Sequence, residues 1–248
     1  MGDFKDLFSG QAGTYARFRP TYPEPFIRAI VALAPDTNRC LDCGTGNGQA
    51  AFALSGHFRL VDAIDASAAQ LERAPVKDTI AYREARAEAT GYPDAVFDLI
   101  TVGQAVHWFD LPAFHTEAMR LLKPGGILAV WGYGLLRLDP KTDALLDRFY
   151  KDVVGPYWQP ERSYVEEHYR TLPFPWEEVP LSGEYAIGRK LDRGGLAGYL
   201  YSWSATQAYL KSNEDPIPAL MRQLPAHWNA AAQVKGRHPL FWRIGRKG

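Results

Sequence analysis

Short apolar runs and segments with helical spacing alternate along the first half of the chain. Runs with the length of strands, bounded by turn-forming residues, lie at 39–43, 60–65, 79–83, 97–102 and 127–131. Segments with apolar residues three or four positions apart, as in helices, lie at 25–34, 49–56, 68–73 and 111–122. Strands that alternate with helices predict an α/β protein with a doubly wound, mostly parallel sheet.

The pattern changes after Gly134. Residues 137–222 are rich in aromatic side chains and are interrupted by prolines, which predicts scattered helices rather than further alternating units. We interpret this region as a helical insertion packed over the carboxyl-terminal edge of the sheet, not as a second domain. A last apolar run at 240–244 predicts one more strand.

A glycine-rich stretch follows the first predicted strand. It reads Leu-Asp-Cys-Gly-Thr-Gly-Asn-Gly over 41–48 and stands at a strand-to-helix turn, where glycine lets a ligand lie against the main chain. Dinucleotide sites have the spacing G-x-G-x-x-G and hold a pyrophosphate at the helix N-terminus. In this chain Gln49 replaces the last glycine of that pattern, and Asp42 would repel a pyrophosphate but suits a cation. The spacing therefore disfavours a nicotinamide site.

Further motifs follow the glycine loop in a fixed order. Asp65 ends the second predicted strand, about twenty residues on, where an acid that binds a ribose belongs. The stretches ARAE (85–88), PDAVFDLI (93–100) and LLKPGGIL (121–128) come next. In this order the motifs resemble those of the class I S-adenosylmethionine-dependent methyltransferases. The resemblance implies a Rossmann-like methyltransferase sheet whose last strand is antiparallel, with S-adenosyl-L-methionine as cofactor and S-adenosyl-L-homocysteine as product.

Three stretches resemble a narrower group of small-molecule methyltransferases, which includes the trans-aconitate and cantharidin enzymes. They are YARFRPTYP (15–23), QAVHWFD (104–110) and YLYSWS (199–204). This resemblance implies O-methylation of an organic carboxylic acid by direct in-line transfer, without a metal ion. Three alternatives stay open: another small acceptor (phenol, amine or carbon), a nicotinamide-dependent oxidoreductase, or a non-catalytic protein that binds S-adenosylmethionine.

The resemblance also assigns roles to individual residues. The expected catalytic residues are His107 and Trp108. The expected cofactor-binding residues are Tyr15, Arg19, Asp42, Gly44, Thr45, Gly46, Gly48, Asp65, Ala66, Ala87, Glu88 and Gln104. The expected acceptor pocket contains Tyr22, Tyr133, Tyr199 and Trp203. We expect one domain in four parts: an N-terminal lid (1–24), a cofactor-binding core (25–134), an insertion over the site (135–231) and a final strand (232–248).

His107 has two interpretations. It either contacts the acceptor, as a binding residue or a general base, or it is a structural residue of the loop before the next helix. A carboxylate acceptor is already ionised near pH 7 and needs no strong base, whereas a hydroxyl acceptor needs one. The spacing of the other five histidines does not indicate a metal site.

Composition and charge limit the setting. The 248 residues are 46% hydrophobic with a formal net charge of zero, which favours a folded protein without a general attraction to nucleic acid or anionic membranes. No apolar run approaches the ~20 residues of a spanning helix, and the N-terminus lacks the apolar region of a signal peptide. We therefore expect a cytoplasmic protein, a monomer or homodimer, whose partner is a small-molecule acceptor. The basic C-terminal residues are interpreted as a solvated strand end.

The two cysteines, Cys40 and Cys43, form a C-x-x-C pattern that would suit a redox or zinc site. Both fall on the first predicted strand, where residues three apart point to opposite faces. No second pair is present to complete a zinc site. We expect two buried, reduced thiols on opposite sides of the sheet.

Overall fold

A computed structural model describes residues 21–229 and 233–248. The strands in these ranges are β1 (Arg39–Cys43), β2 (Leu60–Asp65), β3 (Ile80–Glu84), β4 (Phe97–Gly103), β5 (Leu122–Tyr133), β6 (Glu177–Glu178), β7 (Ala186–Leu191) and β8 (Val234–Arg246). The α-helices are α1 (Glu24–Val31), α2 (Gln49–Leu54), α3 (Ala68–Leu71), α4 (Leu111–Leu121), α5 (Pro140–Arg148), α6 (Arg162–Glu166), α7 (Arg193–Tyr201), α8 (Ser204–Tyr209) and α9 (Ile217–Arg222). Short 3₁₀ turns at Val106–Trp108 and Gly155–Tyr157 and a π-helical turn at Phe149–Val153 complete the description.

The sheet has the order β3-β2-β1-β4-β5-β8-β6, and β7 pairs with β8. Strands β1 to β5 are mutually parallel, and β8 runs antiparallel to β5. The predicted doubly wound sheet with an antiparallel last strand is therefore confirmed. The strand order reverses between β1 and β4, so the carboxyl ends of these two strands flank the crevice in which such sheets bind ligands.

Alternating residues of β1 supply the two faces of the core. Cys40 packs with α1 and α2 on one face, whereas Leu41 and Cys43 pack on the other face, against α4. Both thiols are free and buried, as expected, and burial raises the pKa of each well above its ordinary value. The strand is thus a structural centre of the sheet, and its thiols are poor nucleophiles.

The insertion contributes to all three apolar clusters of the described residues. Its segment from Val165 to Trp176 packs on the sheet face that α4 also covers. Helices α5, α7, α8 and α9 bury a second cluster of their own, in which Leu146, Trp203 and Trp228 are central. The middle segment of the insertion and Ile187 of β7 therefore share a core with the central strands, whereas its helices α5 and α7 to α9 pack mainly among themselves.

Several predicted boundaries were wrong, chiefly in the second half. Strands β6 and β7 lie in the region expected to be helical, and β8 extends well before residue 240 because its first half pairs with β7. Strand β5 starts at Leu122, five residues before the predicted position. Ser67 occupies the N-cap position of α3, but its side chain makes no capping hydrogen bond. In the described ranges, no helix combines the length and apolar character needed to cross a bilayer.

Candidate active site

The glycine loop joins β1 to α2 and crosses the end of β2. Gly44, Gly46 and Gly48 all have positive φ, a conformation that costs residues with a Cβ about 1–2 kcal/mol. The Thr45 N–H donates to the Ile64 carbonyl (2.9 Å), which fastens the loop to β2. An alanine at 44 would place its Cβ only 2.7 Å from that of Ala105, in the segment after β4. The loop is therefore pressed between the ends of β2 and β4.

Asp42, the residue before the end of β1, stabilises the glycine loop through a side-chain hydrogen bond. Its buried carboxylate accepts hydrogen bonds from the hydroxyls of Thr45 (2.6 Å) and Thr101 (2.8 Å). Burial raises the pKa of Asp42 to about 6, although both hydrogen bonds act in the opposite direction. Above this pH the loop thus has a buried negative charge beneath it, which suits a cationic ligand.

Asp65, the last residue of β2, links the loop to the start of α3. Its carboxylate accepts from the Gly46 N–H (2.8 Å) with one oxygen and from the Ser67 N–H (2.9 Å) with the other. Ala66 lies between these contacts and is half-buried. Asp65 therefore connects the glycine loop to the segment after β2, at the position where the sequence predicts an acid that binds a ribose.

Ala87, Glu88 and Gln104 lie near the same sheet edge, with different surroundings. Ala87 is buried with the α4 core. Glu88 accepts from the Asp110 N–H (3.0 Å) at the start of α4. Gln104 has a positive φ, and its side-chain carbonyl accepts from the Tyr133 N–H (2.9 Å). The side chains of Glu88 and Gln104 thus connect neighbouring segments, and any cofactor contact from these residues also involves their backbone.

The residues around the loop fit a ligand with polar groups. The Asn47 side-chain oxygen and the Tyr82 hydroxyl are buried and have no hydrogen-bond partner among the described residues. Tyr82 lies against Gly48: a Cβ added to Gly48 would be 2.5 Å from the Tyr82 hydroxyl oxygen. A buried polar atom without a partner is costly, so these two atoms indicate a ligand or solvent partner beside the loop.

His107 lies next to this loop, in the 3₁₀ turn after β4. Its Nδ1 shares a 3.0 Å hydrogen bond with the Tyr169 hydroxyl, and its ring centroid lies 4.8 Å from that of Trp108. Burial, with a smaller effect from Arg162, lowers the pKa of His107 to about 3. His107 is therefore neutral at pH 7 and is held in place by the insertion.

Tyrosines gather at the ends of β4 and β5. The Tyr22 hydroxyl lies against Gly103, where a Cβ would be 2.9 Å away. Burial raises the pKa of Tyr169, and the nearby hydroxyls of Tyr22 and Tyr133 raise it further. These three tyrosines and His107 therefore form one cluster at the carboxyl edge of the sheet.

The other expected acceptor residues form a wall in the insertion. Tyr199 and Trp203 are buried with ring centroids 5.3 Å apart. Tyr199 and Tyr133 both lie beside the His238 ring, at 5.4 and 5.2 Å. Burial lowers the pKa of His238 to about 4. The structure thus connects three of the four expected acceptor residues through a histidine that had no role in the sequence analysis.

Other residues near the site also carried no motif. Arg162, Tyr169 and Trp158 were visible only as part of an aromatic-rich insertion, because their positions depend on tertiary packing. Phe109 differs from these three, because it belongs to the QAVHWFD motif (104–110). Its ring lies against Gly44, where a Cβ would be 3.2 Å away. Tyr15 and Arg19 lie outside the described residues, as does most of the expected lid.

The chain is similar to known methyltransferases in sequence and in fold. Residues 41–130 match the family model described as a methyltransferase domain. A Dictyostelium discoideum protein named as a methyltransferase is 34% identical over 227 residues, covering 89% of this chain and 86% of its own length. An uncharacterized methyltransferase of Mycobacterium tuberculosis is 35% identical over 71% of this chain and 68% of its own. The solved structure of a type II methyltransferase from Anaeromyxobacter dehalogenans is 38% identical, with a TM-score of 0.86, over 92% of this chain and 98% of that one.

The glycine loop, its two supporting aspartates and the strand order define a nucleotide-cofactor-binding α/β enzyme. The chain belongs to the class I S-adenosylmethionine-dependent methyltransferases. Its cofactor is S-adenosyl-L-methionine, and the nicotinamide alternative is discarded. The residues fit this cofactor: a buried acid that bonds to the loop, an acid at the end of β2, and two buried polar atoms beside the loop that have no hydrogen-bond partner within 21–229 and 233–248.

Proposed function

We propose that this methyltransferase methylates a small organic acid on a carboxylate oxygen by direct in-line transfer. The observation that carries the proposal is the state of His107, which burial holds neutral with a pKa of about 3. An imidazole with so low a pKa is a weak base for removing a proton from a phenol, whose own pKa is about 10. A carboxylate needs no such step. The carboxylic acid class is therefore favoured over phenols.

The residues of the chain have a positioning role in this reaction. The bound cofactor supplies a sulfonium-activated methyl group, so that a new O–C bond forms as the S–C bond breaks, giving an ester and S-adenosylhomocysteine. Tyr169 fixes the His107 ring through its hydroxyl. The aromatic side chains of Tyr22, Tyr133 and Trp108 would exclude water and orient the acceptor, which is the main requirement for such a transfer.

The other parts of the proposal rest on the sequence. Residues 1–24 act as a lid, 25–134 bind the cofactor, 135–231 cover the acceptor and 232–248 close the sheet. We infer a cytoplasmic monomer or homodimer that acts on small molecules and not on nucleic acid or membranes. The zero net charge supports the absence of a general attraction to polyanions.

A methyl-transfer screen tests the acceptor class. The full-length protein would be incubated with S-adenosylmethionine and three sets of acceptors: carboxylic acids with one or two carboxylates such as phenylacetate and phenylsuccinate, phenols such as p-cresol, and amines such as benzylamine. We expect S-adenosylhomocysteine and the methyl ester only with carboxylic acids. Turnover of phenols or amines without any turnover of acids would contradict the proposal and leave the methyltransferase assignment intact.

Replacing His107 with glutamine tests its role. Because His107 does not titrate near neutral pH, H107Q should lower kcat/KM by less than about tenfold and leave the pH profile between pH 6 and 9 unchanged. A loss of about 10²–10⁴-fold together with a missing limb of the profile would instead identify an essential base.

The same variant has an independent readout in stability. The folded-state pKa of His107 is lowered from 6.5 to about 3. The unfolded chain therefore binds the proton more tightly, and this group destabilises the fold as the pH falls from 6.5 towards 3. Urea unfolding at pH 7.5 and 5.0 should show a smaller loss of stability on acidification in H107Q than in the wild type.

A further inference from the structure

Arg162, at the start of α6, is held between aromatic rings. Its Nε donates to the Tyr150 hydroxyl (2.9 Å). Its guanidinium carbon lies 4.7 Å from the centre of the Trp158 ring and 5.6 Å from that of Tyr150. These contacts fix the plane of the guanidinium while engaging only one of its three nitrogen atoms. The remaining donors are oriented by the protein without being used in these contacts.

Arg162 is joined to the neighbouring acid Glu166 only through the Tyr150 hydroxyl. Glu166 lies one turn later on α6, but its carboxylate accepts from the Tyr150 hydroxyl (2.6 Å). Among the residues of 21–229 and 233–248, none forms an ion pair with Arg162 within 4.0 Å. A half-buried guanidinium without a carboxylate partner is unfavourable unless a ligand supplies the charge. Its planar donors match a carboxylate in bidentate geometry.

An open groove of about 370 Å³ lies beside this cation. Its lining includes the cations Arg162 and Lys151, the side chains of Trp158 and Ser163, and one carboxylate, Glu166, which is already hydrogen-bonded to Tyr150. Trp158 is one of the lining residues, and its indole Nε1 is a buried donor that has no acceptor among the described residues. Lys151 is exposed and belongs to the π-helical turn, a local irregularity that is frequent at functional sites.

The groove adjoins the acceptor side of the cofactor site. Helix α6 contacts the 3₁₀ turn that carries His107. The positive charge of Arg162 adds to the effect of burial in lowering the pKa of His107, and it partly opposes the rise that burial causes in the pKa of Tyr169 and Tyr199. Arg162 thus stands between the groove on one side and the tyrosine cluster on the other.

We propose that Arg162, with the Trp158 indole N–H, is the specificity-determining anchor for an anionic group of the acceptor, a group other than the oxygen that receives the methyl. The identity of the reacting oxygen rests on the proposed function. The binding of a further anionic group rests on Arg162 and the groove. A guanidinium clamp on the reacting carboxylate would engage both of its oxygens and reduce their nucleophilicity. The clamp therefore suits a second group that stays anionic throughout, and the acceptor class is an acid with an anionic group besides the methylated position.

Calorimetric titration with defined probes tests the anchor without turnover. The full-length protein, saturated with S-adenosylhomocysteine, would be titrated with phenylmethanesulfonate, phenylacetate and the neutral phenylacetamide. We expect both anions to bind about 10- to 100-fold more tightly than the amide, as a charge-assisted hydrogen bond implies. R162Q should remove this preference, and R162K should retain part of it. The matched control R170Q should leave it unchanged, because Arg170 is exposed on the same segment.

The outcomes separate the anchor from the proposed reaction. Two results would overturn the anchor. The wild type could bind anions no more tightly than the amide, or a folded R162Q protein could keep the wild-type preference for anions. Loss of the preference in R162Q supports it, even if the screen shows no methylation of carboxylates, which would refute only the substrate class. With an acceptor that has a second carboxylate, such as phenylsuccinate, R162K should raise KM about tenfold with little change in kcat, because the anchor binds ground state and transition state alike.

Discussion

Replacing Gly44 with alanine is expected to abolish cofactor binding and turnover. Gly44 has a φ of +64°, and a Cβ there would lie 2.7 Å from Ala105 and 3.2 Å from the Phe109 ring. The left-handed conformation costs about 1–2 kcal/mol, and overpacking costs about 1–3 kcal/mol more. The loop can relieve the contact only by moving away from the segment after β4. Titration with S-adenosylmethionine should then show no measurable binding.

Gly125 provides a matched control for this prediction. It also has a positive φ (+74°), but a Cβ there meets no atom within 4 Å. Gly125→Ala should therefore cost only the conformational strain of about 1–2 kcal/mol in urea unfolding. Its cofactor affinity should equal that of the wild type. Normal affinity in Gly44→Ala would show that the loop tolerates the contact and that this close approach does not set the site.

Replacing Arg243 with methionine is expected to loosen the insertion from the sheet. Arg243 lies on β8 with a side chain that is only 16% exposed. It donates to the Leu172 carbonyl (2.6 Å), pairs with Glu178 and stacks 4.5 Å from the centre of the Phe174 ring. Loss of these contacts leaves polar groups without partners, at about 1–3 kcal/mol each. We expect a stability loss of about 2–4 kcal/mol.

The functional effect of this variant should be selective. Arg243 also donates to the Tyr169 carbonyl (3.4 Å), so its removal should disturb the tyrosine that holds His107. Turnover should fall at least about tenfold, the effect of 1.4 kcal/mol, while S-adenosylmethionine affinity is retained. The control is Arg237→Met on the exposed side of the same strand, which should change stability by less than about 0.5 kcal/mol. Unchanged turnover in folded Arg243→Met would show that other contacts position Tyr169.

The sequence was most informative where local pattern and topology agree. Strand β1 begins and ends at the predicted residues, and Asp42 and Asp65 lie at the expected sheet edge. A strand followed by a glycine loop leaves little freedom in the placement of these acids. The arginine at 243 differs, because it was interpreted as part of a solvated strand end and is largely buried by the insertion. No local pattern records which segment will cover a strand.

The site residues of the insertion depend on contacts that are distant in sequence. Tyr169 has a positive φ and meets His107 across 62 positions. Strand β7 contains glycine and charged residues and forms because β8 offers an edge, so its own composition gave no signal. Arg162 lies in a short helix without a motif, and only the surrounding rings mark it. Such residues cannot be found from periodicity, since their roles exist only in the assembled molecule.

The shared strand β8 has a consequence for how the chain folds. Its first half pairs with β7 of the insertion, and its second half pairs with β5 of the core. The Arg246 guanidinium donates to the Gly125 carbonyl across 121 positions, whereas β1 and β2 are joined by a short helical crossover. Strands that are distant in sequence pair late in folding, because the entropy cost of closing the long loop between them comes before their contacts can offset it. Strands β1 to β4 therefore have the topology to pair early, whereas the pairings of β5, β6 and β7 with β8 must wait until β8 has been made.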